Sequence, residues 1–291
     1  MSEFTSWGAG PSLELKPEIT APGGNIWSTI TGGSSADGST GSYGMMSGTS
    51  MAAPHMTGVG ALVEQYVQSK ELPSKQEDAA LTQQLLVSTA VPQADGSGVY
   101  YSPRQQGAGL VNAAAAIKTP AYITVDGQNV GKLELKDDPE KTGSYTLSFN
   151  VVNMTWSTLT YNAKAVLLRP ATSTAETQWG TRTLMLDSDV LIREVDLGTI
   201  QVPGRTTGDY ASTAFSQTVT LTEAEKQELD GLFENGTYVE GFIVLTDAQG
   251  ENPQIGLPFL AFYGDWTAAP IFDRATWLDE VAEGSTYLDG E

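Results

Sequence analysis

The rhythm of apolar and polar positions changes near residue 120. Before that point the apolar residues come in short runs. Ile26 to Ile30 follows the turn signal Pro22-Gly23-Gly24 and predicts a strand, and Met45-Met46 closes a second one. An apolar run from Met51 to Val63 opens directly behind Ser50 and turns polar from Glu64, which predicts a helix surfacing by Lys70. Its small residues Ala52, Ala53, Gly58, Gly60 and Ala61 suit a buried helix approached closely by other backbone, because each glycine costs about 1 kcal/mol against alanine in an exposed helix. Residues 31–42, rich in Gly, Ser and Thr, read as a surface loop. Leu72-Pro73-Ser74 is a break with Ser74 as an N-cap. Lys75 to Thr89 then sets Ala79, Leu81, Leu85 and Leu86 on one arc of a second helix. Val111 to Ile117 is a short Ala-rich helix, and Lys118-Thr119-Pro120 reads as a hinge.

From Ala121 the period becomes two. Tyr122 to Val125, Lys132 to Leu135, Ser144 to Val152, Leu159 to Leu168, Val190 to Val195, Phe215 to Leu221 and Tyr238 to Leu245 are strand-length segments between turns. That texture predicts a sandwich of antiparallel sheets. Thr222 to Glu234 is the helical interruption, with Thr222 as cap and Glu225 three residues on, as in a capping box.

The chemistry concentrates at Gly48-Thr49-Ser50-Met51-Ala52-Ala53-Pro54-His55. Ser50 reads as a helix N-cap, among backbone N–H groups that lack helical acceptors. Those N–H groups favour negative charge, which a serine nucleophile needs when it turns a carbonyl into an oxyanion. The chain holds one histidine, His55, five residues after Ser50. On a helix that offset is roughly 140° of rotation and about 7.5 Å of rise, so His55 is expected to be a packed structural residue and not the base.

Charge narrows the partners. The formal net charge is −20, and residues 1–120 carry only −4 of it, so the second half is strongly acidic. Nucleic acid and anionic lipid both call for basic patches, and neither is expected as a partner. No run approaches the ~20 apolar residues of a membrane span. Cysteine is absent, so no disulfide or thiolate metal site exists. No cofactor is called for. Asp137-Asp138 and Asp187-Ser188-Asp189 could attract calcium, but neither matches a spaced ligand loop, and solvated acidic loops are the preferred reading.

The octapeptide closely resembles the nucleophile segment of the subtilases, the subtilisin-like serine proteases. Lys16 to Thr29, Tyr43 to Ser47 and Tyr101 to Ala113 resemble other stretches of that family in the right order. The resemblance implies an α/β, partial subtilisin-like catalytic domain over residues 1–118, with Ser50 as nucleophile and its backbone N–H as one oxyanion donor. Glu234 to Ile243 and Leu257 to Trp266 resemble the fibronectin type III-like domain of lactocepin-type cell-envelope subtilases, which implies an all-β sandwich over 119–266. Residues 267–291 resemble the start of a further module. The function implied is peptide-bond hydrolysis, with a protein or peptide substrate, in the extracellular or cell-wall space of a Gram-positive bacterium. In that family Asp, His and an oxyanion Asn precede the serine. Here no histidine precedes Ser50 and the local motif of Asn25 differs, so the expectation is a fragment, inactive alone, whose catalytic segment lies N-terminal in cis. The alternative is a non-catalytic surface module with a relic serine. An α/β-hydrolase is disfavoured, because its histidine follows the serine at a distance.

Overall fold

Period two puts Tyr145, Leu147, Phe149 and Val151 on one face of an extended segment, all buried, while Thr146 and Ser148 on the other face stay exposed. A computed structural model of the chain describes this strand and the rest of residues 1–30, 42–70, 78–128, 130–177, 180–206 and 208–268. The predicted loop up to residue 41, the Ser74 cap and the tail from residue 269 lie outside the described residues.

The first part holds β1 (Ile26–Ile30), β2 (Ser42–Met46), α1 (Thr49–Gln68), α2 (Asp78–Ser88), α3 (Pro103–Gln106) and α4 (Ala113–Lys118). The second holds β3 (Ala121–Thr124), β4 (Leu133–Asp138), β5 (Ser144–Asn153), β6 (Leu159–Thr177), β7 (Gly180–Val202), β8 (Ala211–Thr220), α5 (Glu223–Leu232), β9 (Thr237–Asp247) and β10 (Ile255–Tyr263). The chain is thus mixed α and β, with extensive sheet. β1 and β2 pair antiparallel as a two-stranded sheet. The remaining strands form a five-stranded sheet in the order β4-β10-β9-β6-β7 and a three-stranded sheet in the order β3-β5-β8.

These two sheets share one core. Tyr161, Leu167, Ile243 and Phe259 from the larger meet Ile123, Leu147, Phe149 and Val151 from the smaller, and Leu229 of α5 joins them. The expectation of antiparallel sheets holds for every ladder but one. β10 runs parallel to β4, with Phe259 opposite Leu133. A parallel pair needs a long crossover, and everything from β5 to β9 supplies it. Pro258 conceals β10 in the sequence, but the β4 ladder begins only at Phe259, so the missing N–H costs no bond there.

The helical part is not carried on an open hinge. Thr119 is 3% exposed; its N–H donates to Ala115 O at 2.8 Å and its Oγ1 to Ala121 O at 2.6 Å. Just beyond it, Tyr122 and Val152 pack with Val63, Val67, Leu81, Leu85 and Ala116 of α1, α2 and α4. The outer face of the five-stranded sheet is covered as well. Val166, Leu168, Phe242 and Val244 pack against Val99 and Tyr100, and Tyr100 meets Phe242 edge-on with ring centroids 5.4 Å apart. This explains why β9 is buried on both faces.

α1 departs from the expectation of a closely packed helix. Val63 and Val67 are its buried residues, Leu62 is 57% exposed, and a Cβ built on Gly58 or Gly60 meets nothing within 4 Å. No helix of the described residues is long and apolar enough to cross a membrane.

Candidate active site

The start of α1 is set by glycines. Gly48 is the N-cap, with φ at 154°, a backbone conformation that glycine adopts without strain. Its N–H donates to Gly23 O at 2.9 Å, and a Cβ on Gly23 would lie 2.7 Å from Gly48 O. Residues 22–24 therefore lie directly against the first turn of the helix. Gly48 O accepts from the N–H groups of Met51 at 3.0 Å and Ala52 at 3.3 Å. The predicted cap was Ser50, and this is corrected: Gly48 takes that place, without a side-chain cap bond, and Ser50 is the second helical residue. The correction frees the hydroxyl. Ser50 is exposed and makes no hydrogen bond with a described residue.

Ser50, Met51, Pro54 and His55 line a cleft of about 380 Å³ with Trp27 and Met46 of the β1–β2 sheet. His55 is exposed, not packed as expected, and its Nδ1 lies 3.1 Å from Met51 O. The five-residue offset along the helix and the Met51 O contact orient the imidazole toward the backbone of α1. Asn25 has a local job: its N–H donates to Ser47 Oγ at 2.8 Å, which ties the entry of β1 to the residue before Gly48. Apolar side chains of the β1–β2 sheet are wet: Trp27 and Met46 of the cleft are 65% and 50% exposed, and Tyr43 and Met45 of the same sheet 61% and 60%.

In the first of the acidic pairs, Asp138 accepts from the N–H groups of Thr142 at 3.0 Å and Gly143 at 2.7 Å, which holds that turn, and Asp137 accepts from Trp266 N–H at 3.2 Å. One cluster escaped the sequence reading. Arg104 of α3 is buried against Glu240 of β9, with Nη2 2.8 Å from Oε1. Its signal was a lone carboxylate inside the apolar run Val239 to Leu245.

Residues 1–109 match the Subtilase family profile. Along nearly its whole length the chain is also similar to bacterial proteinases. It is 32% identical to a "PII-type proteinase" of Lacticaseibacillus paracasei, aligned over 99% of this chain and 14% of that protein. It is 33% identical to a "PI-type proteinase" of Lactococcus lactis subsp. cremoris, over the same shares. A "C5a peptidase" of Streptococcus pyogenes serotype M1 is 26% identical over 99% of this chain and 22% of that protein. The chain thus spans about one seventh of the length of the first two relatives. Among solved structures, the sporulation control protein Spo0M of Bacillus subtilis overlaps 57% of this chain and 54% of its own with a TM-score of 0.27 at 12% identity, too low to carry a fold argument.

Proposed function

We propose that this chain is the nucleophile-bearing part of a subtilisin-like serine endopeptidase, with Ser50 as the nucleophile. The observation that carries the reading is the setting of Ser50: an exposed, unbonded hydroxyl in the first turn of a glycine-started helix, inside the segment that matches the Subtilase family profile. In this reading Ser50 Oγ attacks the scissile carbonyl, and its own N–H, with no helical acceptor, donates to the oxyanion. Collapse expels the amine and leaves an acyl ester on Ser50, which water hydrolyses. The base and its carboxylate come from a catalytic segment in cis outside these 291 residues, because His55 is turned toward Met51 O. The exposed Trp27, Tyr43 and Met45 of the β1–β2 sheet and the thinly covered α1 suit contact with such a segment. Residues 119–266 act as a fibronectin type III-like sandwich supporting the catalytic part, and the similarity to Lactococcus and Lacticaseibacillus proteinases supports an extracellular or cell-wall location.

The test uses the protein that carries this chain. A sulfonyl fluoride is expected to label Ser50 stoichiometrically, and Ser50→Ala is expected to abolish labelling and cut peptide hydrolysis by roughly three orders of magnitude or more. Residues 1–291 alone are expected to show hydrolysis at background. Unchanged hydrolysis in the Ser50→Ala protein would leave the alternative, a surface module with a relic serine.

A further inference from the structure

Arg104 of α3 seats on Glu240 of the five-stranded sheet, and Asp189 lies on the same face of that sheet: Glu240 pairs with Leu168 of β6, and Asp189 pairs with Pro170 two residues further along β6. Arg104 holds Glu240 with one edge of its guanidinium: Nε donates to Oε1 and Oε2 at 3.0 Å each, and Nη2 to Oε1 at 2.8 Å. Ser102 Oγ adds a bond to Glu240 Oε2 at 3.0 Å. The ring of Tyr238 lies 3.8 Å from the guanidinium carbon, and Trp7 lies 5.5 Å away. The third group is Asp189 on β7, 9% exposed, whose Oδ2 has no hydrogen-bond partner.

The guanidinium of Arg104 spends its hydrogen bonds and its ion pair on Glu240 and makes neither with Asp189. Pro170 of β6 lies opposite Asp189, and the adjacent Arg169 reaches Pro170 O at 3.0 Å and Glu228 at 2.5 Å. An ionised Asp189 would be a desolvated charge beside Glu240 with no donor of its own, whereas a neutral Asp189 avoids both penalties. Burial first, and the charge of Glu240 second, push the Asp189 carboxyl up to about 8, against the pull of Arg104.

We propose that Asp189, Glu240 and Arg104 form a proton-operated latch: neutral Asp189 lets α3 and residues 91–110 seat on the sheet, and ionisation of Asp189 loosens that seat. The consequence reaches the nucleophile end of the molecule. Gln93, Tyr101 and Gln105 of the seated segment line a cavity of about 850 Å³ together with Thr49 and Ala52 of the first turn of α1. Release of the proton frees one wall of that cavity.

The sign follows from linkage. The folded protein keeps a proton on Asp189 that the unfolded or unlatched chain gives up near its ordinary value of 3.8. The stability carried by that proton is fully present below that value, is lost as pH rises toward about 8, and changes no further above it. Over the window unlatching becomes about tenfold more favourable per pH unit.

The experiment reads stability and local motion, not hydrolysis, so it stands or falls apart from Ser50. Thermal midpoints of residues 1–291 and of Asp189→Asn are compared from pH 6 to 9.5. The advantage of Asp189→Asn over the wild type is expected to grow from pH 6 to 8 and then hold constant. Parallel curves, or a variant that is less stable than wild type at pH 9, overturn the proposal. Should Asp189→Asn fail to fold, a nitroxide on Ala94→Cys (the chain has no other cysteine) carries the test in the otherwise unaltered protein. Its mobility is expected to rise across the same window and level off near pH 8. A label whose mobility is flat from pH 6 to 9.5 sinks the latch.

Discussion

At the scale of single residues, Gly48 and Ser50 divide the work that one serine was expected to do. A residue at φ 154° favours glycine, so the cap falls there, and the serine behind it keeps an unbonded hydroxyl. Met51 is the neighbour with a chemical liability. It lines the same cleft as Ser50, and its Sδ lies 3.7 Å from the point where a Gly48 Cβ would stand, so a bulkier, polar sulfoxide would crowd the first turn. If the protein carrying this chain is the peptidase proposed above, peroxide is expected to remove hydrolysis at the rate at which Met51 is oxidised, and Met51→Leu to protect it. Equal inactivation of both proteins, followed by residual activity against time, would reject that role for Met51.

Among the elements, α5 is the one whose limits the sequence states in full. Thr222 Oγ1 accepts from Glu225 N–H at 3.2 Å and Glu225 Oε2 accepts from Thr222 N–H at 2.7 Å, the reciprocal pair expected from Thr-x-x-Glu. Thr222→Ala is expected to destabilise the chain by about 1 kcal/mol in urea unfolding, with the slope unchanged. β5 was equally legible, because its alternation survives in the register: Thr146 pairs with Thr218 and Ser148 with Ser216 through hydroxyl bonds of 2.9 and 2.7 Å on the wet face. α1 was legible in extent but not in environment. Its small residues announce close packing, yet the described residues around Gly58 and Gly60 leave it open.

For the molecule as a whole, the decisive feature is that the helical part is built onto the two larger sheets. Leu15 N–H donates to Glu134 at 2.9 Å, Lys132 Nζ donates to Leu15 O at 3.0 Å, and Trp266 Nε1 donates to Pro11 O at 2.9 Å. With Arg104–Glu240 these bonds join segments more than a hundred residues apart in sequence. Glu240 is fully buried, so removing its partner leaves an uncompensated charge. Arg104→Leu is expected to cost about 3–5 kcal/mol in urea unfolding. A loss under 1 kcal/mol would mean that the junction is wet and the pair dispensable.

What the sequence by itself determined is local: strand periodicity in β5, the cap of α5, the extent of α1, and a serine set among small residues where a helix begins. It also carried the likeness to the subtilases, because that likeness rests on contiguous motifs. Tertiary structure alone decided that Thr119 is buried between the two parts, that β10 runs parallel to β4, and that Arg104 and Glu240 share one buried site. The physical reason is that burial and charge compensation belong to pairs. Arg104 and Glu240 are 136 residues apart, and neither one's neighbours in the chain record which partner removes it from water.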